Sequence, residues 1–384
     1  MDFIDLKAQY QRLKADIDAN IHAVLNDGVF IGGRYVAELE EKLATFTGRR
    51  HCITCANGTD ALQIAYMTMG LGPGDVVFCP DVTFVSSTEP AKMLGATPVF
   101  CDITPDTYCL SPESLERQIQ AVLSEGKLRP KAVVAVDLLG NPCDYDSIVP
   151  VCKKYGLVLI EDAAQSFGAD YHGKKACSFG EIAITSFFPA KPLGCYGDGG
   201  AIFTDDDQMA ELIRSICVHG KGPGGKYDNT RVGVNSRLDA LQAAILLPKL
   251  KALEEYERSA RQLVAQRYNR AFAGKLTTPY VADGCTSVWA QYALLAEDTV
   301  QRNVIVVYLT KLGIPNMIYY PAPQHALPVF RREPQYQEAF QTASDYCART
   351  FSLPMHPYLT DAEQRRIIER TLDALLWAKR EPGL

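Results

Sequence analysis

The sequence lacks the features that would attach the chain to a nucleic acid or a membrane. Its 384 residues carry 39 Lys and Arg against 45 Asp and Glu, a formal net charge of −6. No run of basic residues offers a nucleic-acid backbone a complementary surface. No apolar stretch reaches the roughly 18 residues of a membrane-spanning helix, and the first residues lack an export pattern. We therefore expect a soluble, cytoplasmic protein that binds neither nucleic acid nor membrane.

The sequence also lacks the spacing of a metal site, although it contains twelve cysteines. Cys52 and Cys55 form a CxxC pair, but no second pair follows at zinc-site spacing and no pair of histidines replaces one. Several other cysteines lie in apolar, strand-like segments, which is typical of reduced thiols in a hydrophobic core. We expect core cysteines and no bound metal.

Short apolar runs alternate with helical patterns along the first two thirds of the chain. The runs predicted as strands are 51–55, 75–80, 97–103, 132–139, 157–162, 182–187 and 200–204. Amphipathic spacing predicts helices over 15–25, 35–46, 61–69, 111–124 and 145–155. Short apolar strands separated by helices imply a mainly parallel sheet with helices on both faces. In such a sheet the ligand binds at the carboxyl ends of the strands.

The last third of the chain has a different pattern. From residue 237 it turns helical, through a long stretch at 249–272, and then mixes β-rich runs at 288–295 and 303–308 with a helical run at 361–379. We predict an α/β protein with a large domain over residues 1–246 and a smaller C-terminal α/β domain over residues 247–384.

Lys191 is the most informative residue, because it lies in a turn of prolines and glycines directly after an apolar strand. An amine that must attack a carbonyl has to be held uncharged in a fixed geometry, whereas a surface lysine needs no such setting. Asp162 ends another predicted strand, where a carboxylate either pairs with a cation or caps a following helix. A Schiff-base lysine and an acid that holds a pyridinium nitrogen are what pyridoxal 5'-phosphate (PLP) requires of its protein.

Other residues near predicted strand ends could complete such a site. Gly58 and Thr59, at the start of a predicted helix, offer N–H groups and a hydroxyl to a phosphate, although an ordinary helix cap at Thr59 or Asp60 fits the same residues. Phe84 could lie flat against a cofactor ring or belong to the core. Gln165, one helical turn beyond Asp162, could reach a ring hydroxyl.

Four motifs, in this order, resemble the PLP-dependent sugar-nucleotide aminotransferases of the DegT–StrS family, which are fold-type I enzymes. The motifs are Asn57-Gly-Thr-Asp60, Glu161-Asp-Ala-Ala-Gln-Ser166, Ser186-Phe-Phe-Pro-Ala-Lys191 and Gly233-Val-Asn-Ser-Arg-Leu-Asp239. The likeness extends from residues 3–6 to residues 352–359 and so covers nearly the whole chain.

The resemblance implies a role for each matching residue around the cofactor. Lys191 would bind the aldehyde carbon and later move the proton, Asp162 would hold the pyridine nitrogen, and Gln165 would approach the 3-hydroxyl. Phe84 would cover the ring. The phosphate would be bound by Gly58, Thr59 and Ser186, with Asn235 reaching it from the partner subunit of a homodimer with shared active sites.

The resemblance also implies the substrates, with L-glutamate as amino donor and a nucleotide-linked keto sugar as acceptor. The sequence at 235–239 resembles that of family members that aminate carbon 3 of a keto sugar. The sugar in question is in particular UDP-2-acetamido-2-deoxy-3-oxo-D-glucuronate, used in bacterial surface-polysaccharide and O-antigen synthesis. Arg237 would then pair with the sugar carboxylate. Relatives read His-Tyr-Pro where this chain has Tyr319-Tyr320-Pro321, a segment that the family places near the substrate.

Three alternatives accompany this interpretation. The first is an aminotransferase for a dTDP-linked 3-keto-6-deoxyhexose, which the same motifs would also fit. The second is a deoxysugar dehydratase, whose relatives carry His where this chain has Lys191. The third is a PLP-binding regulatory protein, against which the acidic composition and the complete set of cofactor residues both argue.

Overall fold

The computed structural model describes residues 1–225, 227–334, 336 and 339–380. Its helices are α1 Leu6–Asp27, α2 Arg34–Thr47, α3 Gly58–Thr68, α4 Glu89–Met93, α5 Pro112–Glu125, α6 Tyr145–Tyr155, α7 Asp207–Cys217, α8 Ala240–Ala252, α9 Arg258–Phe272, α10 Thr299–Lys311, α11 Gln341–Arg349 and α12 Asp361–Arg380. Its strands are β1 His51–Cys55, β2 Asp75–Pro80, β3 Thr97–Cys101, β4 Arg129–Val136, β5 Val158–Asp162, β6 Asp170–Tyr171, β7 Lys174–Lys175, β8 Ile182–Ser186, β9 Gly200–Thr204, β10 Cys285–Thr286, β11 Tyr292–Leu295 and β12 Thr350–Leu353. Each described helix is too short or too polar to span a bilayer.

The centre of the molecule is a seven-stranded sheet in the order β1-β9-β8-β5-β4-β2-β3. Strands β3, β2, β4, β5 and β8 run parallel to their neighbours in that series, whereas β9 is antiparallel to both β8 and β1. This mostly parallel sheet flanked by helices confirms the predicted fold class. It also places the carboxyl ends of β2, β5 and β8 at one edge of the sheet.

Both faces of the sheet are buried, which explains why its strands are apolar throughout rather than alternating. In β4, Val133 and Ala135 face the core that contains α5 and α6, while Ala132 and Val134 face the core that contains α3 and α7. Successive side chains of a strand point to opposite faces, so one apolar run supplies both layers. All twelve cysteines are free thiols, and eleven of them are buried as predicted, Cys285 being half-buried.

The C-terminal region packs α9, α10 and α12 around the antiparallel pair β11–β12. The β-rich run predicted at 303–308 is wrong, because these residues lie inside α10. Asp298 caps that helix by accepting from the amide of Gln301, and Ile305 and Leu309 are buried on its inner face. Burial and capping outweigh the weak strand preference of branched residues. The domain division at residue 246 stays a prediction, and α8 continues through that position.

Candidate active site

A cavity of about 480 Å³ lies at the carboxyl-end edge of the central sheet. Strands β5 and β8 end there, and β2 leads into the loop that begins at Asp81. The fold therefore brings together residues from three of the four motifs, from the loop after β2 and from the C-terminal region. The predicted site residues that line the cavity are Gly58, Thr59, Phe84, Asp162, Gln165, Ser186, Lys191, Tyr319 and Tyr320.

Lys191 reaches this cavity from a tight turn after β8. Its backbone amide donates to the carbonyl oxygen of Phe188 at 2.8 Å, which closes the turn. Gly194 is needed for the same turn, because a Cβ there would lie 2.4 Å from the carbonyl oxygen of Pro189. Burial lowers the pKa of the Lys191 amine, and the negative charge of Asp162 acts in the opposite direction. The turn thus presents an amine that loses its proton more readily than a surface lysine does.

Asp162 is held by two hydrogen bonds at the end of β5. Its Oδ2 accepts from the Ser87 hydroxyl at 2.9 Å, and its Oδ1 accepts from the amide of Ala164 at 3.1 Å. Burial raises the pKa of this carboxyl, while both hydrogen bonds and Lys191 lower it. Residues 164–168 form turns rather than a helix, so Asp162 is not a helix cap. The carboxylate is instead a buried, oriented acid beside an amine.

The start of α3 approaches the end of β8 very closely. A Cβ on Gly58 would lie 2.7 Å from the Cβ of Ser186, so this approach requires glycine. The N-cap of the helix is Asn57, whose Oδ1 accepts from the amide of Asp60 at 2.8 Å, rather than Thr59 or Asp60. The first amides of a helix have no acceptor within it. Those of Gly58 and Thr59, beside the Ser186 hydroxyl, therefore make a suitable seat for an anion.

Two aromatic side chains form facing walls of the cavity. Phe84 is 53% exposed, so it is not a core residue, and its ring centroid lies 6.4 Å from that of Tyr320. Gln165 sits beneath Tyr320: its Oε1 accepts from the amide of Leu139 at 2.8 Å and its Nε2 donates to the Tyr320 hydroxyl at 3.2 Å. These bonds fix the amide of Gln165 at the base of the cavity.

Two predicted site residues lie outside this cavity. Asn235 and Arg237 are exposed, and Arg237 Nη2 donates to Asn235 Oδ1 at 2.5 Å. The resemblance assigned Asn235 to the site of a partner subunit, and that assignment stays a prediction.

Several polar residues of the cavity wall were assigned no role from the sequence, among them Thr83, Ser86, Ser87, Asp198 and Gln291. Ser87 could most easily have been identified, because it belongs to a run of residues with hydroxyl side chains in the loop after β2. Asp198 also carries a signal, since it lies between two glycines in the loop that follows Lys191. Gln291 follows an apolar run far along the chain, and no local pattern connects it with the other motifs.

Known proteins that resemble this chain belong to one enzyme family and share its fold. Residues 11–371 match the model of the DegT/DnrJ/EryC1/StrS aminotransferase family. The chain is 47% identical over 363 residues to UDP-2-acetamido-2-deoxy-3-oxo-D-glucuronate aminotransferase of Pseudomonas aeruginosa, covering 94% of this chain and 97% of that protein. It is 40% identical to a pleiotropic regulatory protein of Geobacillus stearothermophilus, covering 96% of each chain.

Solved structures give the same result. A DegT DnrJ EryC1 StrS aminotransferase from Brucella abortus superimposes with a TM-score of 0.94 at 44% identity, covering 97% of this chain and 99% of that one. NtdA from Bacillus subtilis, solved with bound cofactor PMP, superimposes with a TM-score of 0.85 at 27% identity, covering 97% and 83%.

Proposed function

The chain belongs to the DegT/DnrJ/EryC1/StrS aminotransferase family, and from this premise we propose that it uses PLP to transfer the amino group of L-glutamate to a nucleotide-linked keto sugar. The observation that carries the proposal is the Lys191 amine, which lines the same cavity as the buried carboxyl group of Asp162 and has its pKa lowered by burial. The dehydratase alternative is not supported, since it requires His at position 191.

The residues of the cavity fit PLP. The carboxylate of Asp162 would hold the ring nitrogen, Lys191 the aldehyde carbon and Gln165 the ring hydroxyl, while Phe84 would cover one face of the ring. The amides of Gly58 and Thr59, together with the Ser186 hydroxyl, would hold the phosphate, where a side chain on Gly58 would fill the seat. When bound, PLP draws electrons from the α-carbon of an amino acid and so makes its proton removable.

The chain's own residues supply the proton transfer and the orientation. Because its pKa is lowered by burial, Lys191 Nζ can accept the proton from the α-carbon of glutamate and later return one to the sugar carbon. The Ser87 hydroxyl and the Ala164 amide keep the carboxylate of Asp162 in one orientation. The rings of Phe84 and Tyr320, with centroids 6.4 Å apart, would shield a bound cofactor ring from part of the solvent.

For the acceptor we propose carbon 3 of UDP-2-acetamido-2-deoxy-3-oxo-D-glucuronate, in bacterial surface-polysaccharide synthesis within the cytoplasm. The relative from P. aeruginosa carries this activity in its name, and its identity extends over nearly the full length of both chains. Arg237 would pair with the sugar carboxylate, and Tyr319 and Tyr320 would contact the sugar. A dTDP-linked 3-keto-6-deoxyhexose stays the alternative, because Tyr319 offers a neutral phenol in that region.

We further propose a homodimer with shared sites. Asn235 and Arg237 are exposed and lie outside the cavity of their own subunit, so a second copy would be needed for either to reach a phosphate or a sugar. Apolar side chains of the 29–31 loop, Val29, Phe30 and Ile31, are each about half exposed. Such a contiguous apolar surface favours burial against another chain.

The test is a coupled assay with purified protein, PLP and L-glutamate. UDP-linked and dTDP-linked 3-keto sugars, generated in place by a dehydrogenase or a dehydratase, are offered separately, and both 2-oxoglutarate and the amino sugar are measured. We expect stoichiometric formation of the two products with the UDP-linked sugar acid. Formation of 2-oxoglutarate without any amino sugar, across all the sugars offered, would contradict the proposed acceptor class.

A further inference from the structure

Two segments that are far apart in sequence are joined by four hydrogen bonds behind the cavity. The amide of Gln324 donates to the carbonyl oxygen of Asp81 at 2.7 Å, and Gln324 Nε2 donates to the carbonyl oxygen of Thr83 at 2.6 Å. The amide of His325 donates to Asp81 Oδ1 at 2.8 Å, and its Nδ1 lies 2.6 Å from Asp81 Oδ2. We call these four residues, Asp81, Thr83, Gln324 and His325, the clamp.

The clamp is polar and mostly buried. Asp81 is fully buried, and Gln324 is only 2% exposed. The His325 ring also stacks on Phe340, with centroids 4.7 Å apart. The hydrogen bond to Asp81 raises the pKa of His325, and burial raises the pKa of the Asp81 carboxyl. An apolar pair could join the segments with equal stability, whereas a buried polar pair with fixed hydrogen bonds allows fewer arrangements.

Each half of the clamp is continuous with one wall of the cavity. Thr83 directly precedes Phe84, and Tyr320 lies four residues before Gln324. The clamp also extends toward the buried acid, because Thr83 Oγ1 lies 2.9 Å from Ser87 Oγ, and Ser87 donates to Asp162 at 2.9 Å. A displacement of either segment would therefore move an aromatic wall, and a displacement of Thr83 would also reach Asp162.

From this geometry we propose that His325 and Gln324 are positioning residues, which set the separation of the Phe84 and Tyr320 walls and the orientation of the Ser87 hydroxyl toward Asp162. They act through Asp81 and Thr83 and do not touch the reacting atoms. The inference rests on the proposed function in one respect: the side chains that the clamp positions belong to the proposed cofactor and sugar site.

The kinetic test compares His325→Leu with His325→Asn and with a matched control. The control is His51→Leu, because His51 forms a His–Asp pair of the same length, Nε2 to Asp207 Oδ1 at 2.6 Å, at the surface of β1 and outside the cavity. We expect His325→Leu to lower kcat/KM by about tenfold to a hundredfold, since small misplacements at a site have effects of this size. His325→Asn, whose amide nitrogen can replace Nδ1, should recover most of the loss, and His51→Leu should behave as wild type.

A second readout, hydrogen exchange on the full chain with PLP, does not require turnover. If the clamp couples the two walls, His325→Leu should speed exchange in both 83–87 and 319–326, and His51→Leu in neither. Gln324→Leu, which removes only the bond to Thr83, should have the same effect in smaller degree and replaces His325→Leu if that variant does not fold.

The outcomes separate the two claims. If wild type turns over none of the sugars offered but His325→Leu loosens both segments, the proposed function fails and the clamp stands. If exchange rises in 319–326 alone, or if His325→Leu keeps the kcat/KM of the His51→Leu control, the clamp is a local structural contact and the inference is overturned.

Discussion

Two lysines of this protein have a pKa that is lowered by burial, and their surroundings differ in an instructive way. Lys191 lines the cavity at the edge of the sheet, and its opposing charge is Asp162. Lys249 lies in α8, is 1% exposed, and has a pKa lowered to about 8, with Glu257 as the opposing charge. The two lysines have an opposing charge of the same sign and a pKa shifted in the same direction, yet only Lys191 faces a space that can hold a ligand.

The Lys249 pair is enclosed by protein. The ammonium lies over the Tyr196 ring at 4.5 Å from the centroid, and Lys249 Nζ has no hydrogen-bond acceptor among the residues that the structure describes. Glu257 Oε1 accepts from Gln9 Nε2 at 2.8 Å, which ties the pair to α1. A lowered lysine pKa is therefore not by itself evidence of catalysis. Access for a carbonyl group and an oriented acid beside the amine are what distinguish Lys191.

The largest expected effect is the loss of turnover when Lys191 is removed. A positioned general acid–base group contributes roughly two to four powers of ten, so Lys191→Ala should lower kcat by at least that range. Lys249→Met should keep kcat near that of wild type, because Lys249 has no access to the cavity. Both rates are measured as 2-oxoglutarate formed from L-glutamate. Sustained multiple turnovers by Lys191→Ala, or equal losses in both variants, would remove the distinction between the lysines.

The two acids should differ in the same way. Asp162→Asn removes a charge that would face the cofactor, and we expect kcat to fall by about a hundredfold, as when one preorganised electrostatic contact is lost. Its free energy of unfolding should change by no more than about 1 kcal/mol, since burial already disfavours the ionised carboxyl. Glu257→Gln is the control for activity and should retain kcat. Equal kcat values for the two variants would show that the acid at 162 has no special role.

The pH dependence of stability tests the enclosed pair. Because the folded pKa of Lys249 is about 8 against 10.5 for a free lysine, the unfolded chain binds more protons between these values, and stability should rise with pH across that window. At pH 7 the buried charge then costs about 3 kcal/mol. Lys249→Met should remove this rise and should unfold at pH 7 no more easily than wild type. Urea denaturation from pH 7 to pH 10.5 measures both the pH dependence of stability and the stability at pH 7. If the free energy of unfolding of Lys249→Met rises with pH as steeply as that of wild type, the rise does not come from Lys249.

The smallest effect separates stability from ligand binding at two helix caps. Asn57→Ala and Asp298→Ala each remove a side-chain acceptor at an N-cap, of α3 and α10 respectively, and each should cost about 1 kcal/mol of unfolding free energy. Only Asn57→Ala should also weaken PLP binding, because that cap orients the amides of Gly58 and Thr59. Denaturation and PLP titration are measured on both variants. A similar loss of PLP affinity in Asp298→Ala would mean that the cap at Asn57 acts through global stability.

Much of the sheet and of the cavity was predictable, because local signals marked them. The strands at 51–55, 75–80 and 200–204 have the predicted bounds, since each is a compact apolar run between turn residues. Lys191 was identified from its turn of prolines and glycines after an apolar strand, and Asp162 because a carboxylate at the end of an apolar strand is costly unless it is paired.

What the sequence did not predict depends on contacts between distant segments. The run at 303–308 is rich in branched residues, and its burial against β11 and β12, together with the cap at Asp298, makes it helical. The same holds for Ser87, Gln291 and the clamp residues, because their roles depend on partners that lie far from them in the sequence. Lys249 was missed for the same reason: its sequence context is an ordinary helix, and its lowered pKa comes from enclosure by α1, α8 and Tyr196.

One measurement tests the central claim most directly. The protein is incubated with PLP, reduced with borohydride to fix any bond between the cofactor and an amine, digested, and sequenced by mass spectrometry. The account predicts a single modified lysine, Lys191, and no label on Lys249. A label on another lysine, or none on Lys191 in protein that binds PLP, would contradict it.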